Sequence, residues 1–293
     1  MNLQKYEAFI KTVELGSLTK AAETLGYTQS GVSHMIQSLE DEVGTKLMHR
    51  DRSGIRMTSD GEQLLPYFTD ICASQHKLEN KIQDILNLNS GLIRIGTFTS
   101  VSVQWLPFIL KEFLEDFPKI EFEVLYGEYA EIENWILQGR VDCGFIRLPS
   151  AAKLKTTFLK QDELVVILPQ NHPLTAAPYF PEDALDDYPF ALMDEGEDYE
   201  VEAVFDHFHV HPKVRFTAKD DHTIVAIVAN ELAISLMPEL VLNKMPYNII
   251  KKGFKEPIYR QLGIAVKDEK SISSATQRFI DYVLDWVDRE AHQ

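Results

Sequence analysis

The stretch from Ser17 to Glu42 constrains the fold more than any other part of the 293-residue chain. It predicts two short helices joined by a tight turn, because Ser17 and Thr28 are placed to cap the first and second helix through their side-chain oxygens. Gly26 stands between the helices, where the chain often needs a positive φ angle that costs glycine little. This layout is that of a helix-turn-helix.

The second predicted helix separates apolar from polar side chains. Its apolar positions recur at helical spacing and predict a face packed on a core; they are Val32, Met35, Ile36, Leu39 and Val43. The other face carries hydrogen-bonding side chains suited to base edges and phosphates in a major groove; they are Gln29, Ser30, Ser33, His34 and Gln37. Two interpretations stay open here: a DNA-reading helix, or an ordinary amphipathic helix pair with a solvated polar face.

A basic segment follows these helices and favours the DNA interpretation. The letters RDRSGIRMT predict a hairpin with Ser53 and Gly54 at its tip. Arg50, Arg52 and Arg56 flank the tip and are predicted to contact phosphates. The alternative is a solvated basic loop, and the neighbouring helix-turn-helix makes DNA contact the preferred interpretation.

The net charge of −16 is unusual for a protein that binds DNA. Residues 1–60 hold seven Lys and Arg against eight Asp and Glu, so nearly all of the negative charge belongs to the remaining chain. The acidic remainder should repel DNA and confine contact to one end of the molecule. Binding should therefore be strongly sensitive to salt.

A long helix is predicted from Ser59 to about Asn89. The letters SDGE suggest a capping box at its start, with Glu62 reaching back three residues. Apolar positions then alternate by four and three, as in a heptad seam; the seam positions are Leu64, Phe68, Ile71, Gln75, Leu78, Ile82 and Ile85. Such a helix spans on the order of 45 Å, which is too long for one small domain to cover. A second subunit is the expected partner, and packing on the chain's own core is the alternative.

Beyond Gly91 the sequence alternates predicted strands and helices, a parallel α/β pattern. Among these segments are a first strand LIRIGTF, a helix from Val103 to Phe117 and a closing helix from Ser273 to Asp288. Hydroxyl and backbone groups at Thr99 and the residues after it should converge where the first strand enters a helix, an arrangement that suits anions.

The first 65 residues, from NLQKYEAFIKTVELGSLTKAAETLGYTQSGVSHMIQSLEDEVGTKLMHR to RSGIRMTSDGEQLL, resemble the N-terminal domain of LysR-type transcriptional regulators. The resemblance continues more loosely to the C-terminus. In that family, the residues matching Gln29, Ser30, Ser33 and His34 face the groove, and the position of His34 is often arginine.

The resemblance implies an α+β multi-domain fold. It has an N-terminal winged helix-turn-helix, a long linker helix, and a C-terminal two-lobed α/β effector domain that is periplasmic-binding-protein-like. The implied boundaries are 1–58 for the winged helix-turn-helix, 59–90 for the linker and dimerisation helix, and 91–293 for the effector-binding domain, with lobe 1 at about 91–163 and 267–293 and lobe 2 at about 164–266.

The effector is expected between the lobes, at the carboxyl ends of the strands. The candidate contacts in lobe 1 are Thr99, Ser100, Val101, Glu128, Tyr129 and Arg147, and those in lobe 2 are Thr217 and Lys219. Arg147 could hold a carboxylate with two hydrogen bonds, although an ion pair with a nearby acid is an equal alternative.

No metal site or cofactor is predicted. The alternating histidines of FDHFHVHP would share a face only if that segment were extended, and no cysteine stands near them. Cys72 and Cys143 lie far apart in sequence and suggest neither a disulfide framework nor a metal pattern.

The sequence thus predicts a dimeric or tetrameric regulator, not an enzyme, because it has neither a G-x-S-x-G elbow nor a phosphate-binding glycine loop. The expected partners are double-stranded DNA with a dyad-symmetric site, a small-molecule effector such as a carboxylate or an amino acid, and a second copy of the chain. No membrane span or signal sequence is found, so a cytoplasmic location is expected. The alternatives are an architectural DNA-binding protein without a sensor and a cytoplasmic small-molecule-binding α/β protein whose N-terminal helices only mediate assembly.

Overall fold

Three hydrophobic cores organise the computed structural model, which describes residues 2–51, 54–85, 90–194, 200–268 and 272–291. The helices in these ranges are α1 (Leu3–Leu15), α2 (Leu18–Leu25), α3 (Gln29–Val43), α4 (Ser59–Ile85), α5 (Thr99–Gln104), α6 (Leu106–Asp116), α7 (Tyr129–Gln138), α8 (Glu200–Phe208), α9 (Asp221–Ala229), α10 (Glu239–Leu242) and α11 (Ser274–Ala291). The strands are β1 (Met48–Asp51), β2 (Gly54–Met57), β3 (Ser90–Thr97), β4 (Lys119–Tyr126), β5 (Cys143–Leu148), β6 (Lys155–Pro169), β7 (Pro189–Met193), β8 (Lys213–Ala218), β9 (Ser235–Pro238), β10 (Ile249–Lys252) and β11 (Tyr259–Val266).

The predicted helix-turn-helix is confirmed as α2 and α3. The Ser17 side chain accepts a hydrogen bond from the Lys20 N–H, and the Thr28 side chain accepts one from the Gly31 N–H. Gly26 has a φ angle of 71°, the left-handed conformation expected at this turn. The two caps and the glycine therefore fix where α2 ends and α3 begins.

The apolar face of α3 packs on α1 in the core of the N-terminal head. Val32, Ile36 and Leu39 are fully buried there, as the helical spacing predicts. Phe68 of α4 belongs to the same core, and its ring stacks on Tyr6 with 4.7 Å between ring centroids. The first turns of α4 thus belong structurally to the head.

This packing divides the predicted heptad seam. Phe68 is buried in the chain's own head, and Leu64 packs against the same core. Ile71, Leu78 and Ile82 are about half exposed, at 45%, 55% and 44%. An apolar stripe available to a second chain therefore starts at Ile71, seven residues later than the seam predicts. The side chain of Ile85 and residues 86–89 lie outside the described residues.

The cap of α4 also differs from the prediction. The Thr58 hydroxyl accepts a hydrogen bond from the Gly61 N–H at 3.0 Å and donates one to the Lys46 carbonyl at 2.6 Å. Thr58 therefore caps the helix in place of Ser59. The same hydroxyl also ties the start of α4 to Lys46, just before the hairpin of β1 and β2.

Two lobes share one continuous sheet. Its strands follow the order β10-β6-β11-β5-β3-β4, and β9 also pairs with β6. The parallel pairing of β3 with β4 and β5 confirms the predicted α/β pattern of the first lobe. Strand β6 is 15 residues long: its first part pairs with β11 in lobe 1, and its last part pairs with β9 and β10 in lobe 2.

The structure differs from the predicted bounds at two points. Leu262, Ile264, Ala265 and Val266 pack in the core of lobe 1, so most of β11 belongs to that lobe and not to lobe 2. The helix predicted to begin at Val103 begins at Thr99 instead and is divided into α5 and α6 at Trp105.

None of the helices within the described ranges is long and apolar enough to cross a lipid bilayer.

We predict that Thr58→Ala lowers the free energy of unfolding by about 1 kcal/mol, the usual cost of losing a helix cap. Ser59→Ala should cost less than half of that, because the Ser59 side chain is exposed at the first turn. Urea unfolding of the two variants measures the difference. Equal losses in both would contradict the assignment of Thr58 as the cap.

Candidate functional site

The polar face of α3 is open to solvent. Gln29, Ser30, His34 and Gln37 are exposed, and Ser33 is half-buried. These side chains lie along one face of α3, whose N-terminus is capped by Thr28. The structure therefore brings together the five predicted base-reading residues on one surface.

The side chains of Gln37 and Lys46, near this surface, already have hydrogen-bond partners within the chain. Gln37 donates to Asp41 at 2.8 Å and accepts a hydrogen bond from the Lys46 ammonium at 2.9 Å. Lys46 also pairs with Glu40 at 2.7 Å. Glu40 is buried and accepts a hydrogen bond from the Leu47 N–H at 2.9 Å. The carboxylate of Glu40 thus ties α3 to the wing instead of facing the groove.

The predicted basic hairpin is present as β1 and β2, which pair antiparallel with His49 opposite Arg56. Arg56 is exposed on β2. The side chain of Arg50 and the whole of Arg52 and Ser53 lie outside the described residues.

An arginine that the sequence analysis did not single out lies at the junction of the two lobes. Arg260 is the second residue of β11, and the strand register places it opposite Asp162 of β6. Its Nε and Nη2 lie 2.8 and 2.7 Å from the Asp162 carboxylate. Its guanidinium also donates to the Ser100 hydroxyl at 2.8 Å and to the Tyr129 hydroxyl at 2.7 Å. The side chains of Arg260 and Asp162 are only 2% and 6% exposed.

Tyr129 extends this network from one lobe to the other. Its hydroxyl accepts from Arg260 and donates to Glu200 Oε1 of lobe 2 at 3.1 Å. Its ring packs edge-on against Phe98 at 4.9 Å and contacts the cores of both lobes. The chain Arg260, Tyr129, Glu200 therefore joins the lobes through hydrogen bonds.

A narrow cavity of about 20 Å³ lies beside this network, enough for one water molecule. Four of the predicted effector contacts, Thr99, Ser100, Glu128 and Tyr129, line it together with Asp221 and Arg260. A second cavity of about 570 Å³ lies on the other side of Arg260 and is lined by Arg147 and Glu200, among others.

The remaining predicted contacts do not line either cavity. The Val101 side chain is fully buried in the core of lobe 1, so it does not face either cavity, and its contact with an effector stays a prediction. Thr217 is exposed on β8. Lys219 is 81% exposed and lies 3.8 Å from Asp194. The structure therefore does not bring Thr217 and Lys219 together with the lobe 1 contacts around a cavity.

Sequence reasoning missed Arg260, Asp162, Asp221 and Glu200. One signal was present, because Arg260 is the single charged residue in the mostly apolar strand YRQLGIAV, and a charge in such a strand is buried only when it is paired. The run of acids from Asp194 to Glu202 would usually form a solvated face, but its member Glu200 is only 5% exposed. Residues 195–199 of that tract lie outside the described residues.

Two carboxyl groups beside the narrow cavity have raised pKa values. Burial is the main cause of the raised pKa of Asp221, and a hydrogen bond from Thr99 opposes it. Burial also raises the pKa of Glu128, and the negative charges of Glu131 and Asp221 add to the effect. When both are ionised, Glu128 of lobe 1 and Asp221 of lobe 2 thus repel each other across the narrow cavity.

Within the described parts of the chain, no three or more His, Cys, Asp or Glu side chains are grouped as metal ligands. The histidines of FDHFHVHP do not form one extended face, because His207 lies on α8 and His209 has a φ angle of 56° after the helix.

We predict that Arg260→Met lowers the free energy of unfolding by about 3–5 kcal/mol, because it leaves the Asp162 carboxylate buried without its cation. Adding Asp162→Asn should restore part of that loss by removing the buried charge. Urea unfolding measures both variants, with the exposed Arg215→Met as control, expected within about 0.5 kcal/mol of the parent. A double variant no more stable than Arg260→Met would refute this interpretation.

We predict opposite effects for two adjacent acids. Because the pKa of Asp221 is raised in the folded protein, its protonated carboxyl stabilises the fold at low pH, and this contribution is lost as the pH rises through the native pKa. At pH 7.5 the buried carboxylate is charged and costs stability, so Asp221→Asn should raise Tm. The gain should be smaller at pH 4.5, because lowering the pH favours the protonated parent carboxyl and so removes the buried charge.

Asp220 is the matched control, because it caps α9 and hydrogen bonds from Thr223 lower its pKa. Asp220→Ala should lower Tm at both pH values, at a cost of about 1 kcal/mol. Thermal unfolding at the two pH values measures both variants. A lower Tm for Asp221→Asn at pH 7.5 would contradict the cost assigned to its buried charge.

Comparisons with known proteins agree with this architecture. Residues 3–62 match the family described as bacterial regulatory helix-turn-helix protein, lysR family, and residues 87–288 match the LysR substrate binding domain. The uncharacterized HTH-type transcriptional regulator YvbU of Bacillus subtilis is 28% identical, over 96% of this chain and 97% of that protein. The probable HTH-type transcriptional regulator LrrA of Synechococcus elongatus is 31% identical, over 91% and 90%.

Solved structures show the same fold over the full length. CbnR, a LysR family transcriptional regulator, matches with a TM-score of 0.71 and 19% identity over 98% of this chain and 99% of that one. Full-length CbnR in complex with its target DNA matches with a TM-score of 0.69 and 20% identity, over 97% and 99%. The chain belongs to the LysR family of transcriptional regulators, with an N-terminal helix-turn-helix domain that binds DNA and a C-terminal effector-binding domain.

Proposed function

We propose that α3 reads base edges in the major groove and that the wing holds the phosphate backbone. The observation that carries this proposal is the capped helix α3, whose exposed face presents Gln29, Ser30 and His34 with no acid between them. Such side chains match the donors and acceptors of base edges. The exposed Arg56 of β2 supplies positive charge for the phosphate backbone, and Arg50 and Arg52 of the same basic segment are proposed to act with it.

A dimer formed through α4 presents two heads to the DNA. The half-exposed stripe of Ile71, Leu78 and Ile82 supports this assembly, because three large apolar side chains on one helix lose contact with water when a second helix covers them. Two heads related by a two-fold axis recognise a dyad-symmetric site. A protein that binds chromosomal DNA acts in the cytoplasm. Two such dimers would assemble into a tetramer.

The effector acts at the junction of the lobes. The hydrogen-bonded chain of Arg260, Tyr129 and Glu200 links lobe 1 to lobe 2, and both cavities adjoin it. A small molecule that contacts both lobes favours one lobe arrangement over another, and only such a difference in affinity shifts the equilibrium. The lobe arrangement in turn sets the position of the DNA-binding heads.

The decisive experiment is a nuclease footprint of the purified protein on the DNA upstream of its own gene, across a salt series and with scrambled competitor. A protected dyad-symmetric site is expected. If neither this DNA nor a genome-wide selection of bound fragments yields a sequence motif, the proposal of sequence-specific regulation is wrong.

We predict different effects for two head residues. Arg56→Ala should weaken binding by a similar factor on operator and scrambled DNA and lower the salt slope by about 0.9, the value for one phosphate contact. His34→Ala should instead change the preference for operator over scrambled DNA. Fluorescence anisotropy titrations measure both.

The control is Arg215→Ala, which removes an exposed cation from lobe 2 far along the chain from the head and should leave DNA binding unchanged. Equal loss of affinity in the Arg56 and His34 variants on both DNAs would contradict the separate roles.

A further inference from the structure

The larger inter-lobe cavity has walls from both lobes. Arg147 lies near the carboxyl end of β5 in lobe 1, and Glu200 is the first residue of α8 in lobe 2. Both line the cavity of about 570 Å³. This volume is in the range of small-molecule sites.

Glu200 brings a buried carboxylate to this cavity and forms no ion pair with any residue in the described part of the chain. Only 5% of the residue is exposed, and its Oε1 accepts one hydrogen bond from Tyr129. Its Oε2 is buried and has no hydrogen-bond partner among the described residues. A buried carboxylate oxygen left in this state is costly unless a ligand supplies the missing donor.

Arg147 brings the opposite charge. It is half-buried, its guanidinium lies 5.8 Å from the centre of the Tyr129 ring, and it forms no ion pair within the described ranges. Arg260 also lines the cavity, but its charge is already matched by Asp162. The cavity therefore holds one unmatched guanidinium and one unmatched carboxylate, on opposite lobes.

The rest of the wall is mostly apolar. Leu148, Pro149, Leu164, Ala203, Val204 and Ile258 contribute hydrocarbon surface. Such a wall favours a ligand with an apolar portion, because burying that portion removes it from water. The charges fix the ligand's ends, and the wall accommodates its side chain.

We propose that this cavity binds an amino acid, with its carboxylate on Arg147, its ammonium group on Glu200, and an apolar side chain against the remaining wall. A plain carboxylate would leave Glu200 without a cation, and a plain amine would leave Arg147 without an anion. The zwitterion satisfies both and bridges the lobes. This inference rests on the proposed function, in which the effector binds between the lobes.

The test uses two sets of three probes, each an amino acid with the amine that lacks its carboxylate and the carboxylate that lacks its amino group. They are L-norvaline with butylamine and pentanoate, and L-phenylalanine with phenethylamine and 3-phenylpropanoate. Isothermal titration of each probe into the full-length protein should show at least one amino acid binding about tenfold or more tightly than its amine and its carboxylate, since each half-ligand loses a charge-assisted hydrogen bond.

Matched variants assign the two ends. Glu200→Gln should weaken amino acid binding about tenfold and leave carboxylate binding unchanged, while Arg147→Gln should weaken amino acid binding and leave amine binding unchanged. Glu202→Gln is the control, because Glu202 lies on the same helix and is exposed. Thermal unfolding of each variant verifies that the fold is retained.

A half-ligand that binds as tightly as its amino acid would overturn the proposal, and so would a lack of binding by both amino acids at millimolar concentration. The DNA footprint of the same preparation separates this result from the proposed function. A dyad-symmetric footprint without amino acid binding refutes only the ligand class. Selective amino acid binding without any sequence-specific footprint refutes the regulator proposal and leaves the site standing.

Discussion

The buried pair of Arg260 and Asp162 is the interaction on which the junction of the lobes depends. Taking two charges out of water is costly, and the cost is offset only when good geometry and further hydrogen bonds satisfy the remaining groups. Here the strand register sets the two side chains opposite each other, and Asp162 also accepts a hydrogen bond from the Leu240 N–H at 2.9 Å. Ser100 and Tyr129 complete the shell around the guanidinium. The pair thereby joins α5, α7, α10 and the two long strands at one point.

The same junction combines attraction and repulsion between the lobes. Tyr129 and Glu200 are joined by a hydrogen bond, whereas burial raises the pKa of Glu128 and the negative charges of Glu131 and of Asp221 in lobe 2 raise it further. An attractive and a repulsive interaction thus lie side by side at this junction.

Lobe 1 also contacts the DNA-binding head directly. Arg140 of lobe 1 pairs with Glu14 of α1 at 3.0 Å, and Arg94 of β3 lies 2.7 Å from the His76 ring on α4. Because Phe68 anchors α4 in the head core, a movement of lobe 1 against α4 acts on the head as well. The head and lobe 1 are thus connected by a continuous set of contacts.

The sequence by itself determined the local elements of this protein. Ser17, Gly26 and Thr28 specify the helix-turn-helix, because caps and a left-handed glycine depend only on residues a few positions away. Helical spacing likewise identified the buried face of α3, and the alternation of strands and helices identified the α/β lobes. The resemblance to the LysR family rests on the same local motifs.

Only the tertiary structure decided the site between the lobes. Arg260, Asp162, Tyr129 and Glu200 come from four distant segments, and nothing in their own neighbourhoods states that they meet. An acidic tract by itself predicts exposed side chains, whereas Glu200 is buried where lobe 2 meets Tyr129 of lobe 1. The seam of α4 shows the same limit. Its heptad spacing was visible in the sequence, but only the packing of Phe68 on Tyr6 decides which positions the head core covers and which stay exposed.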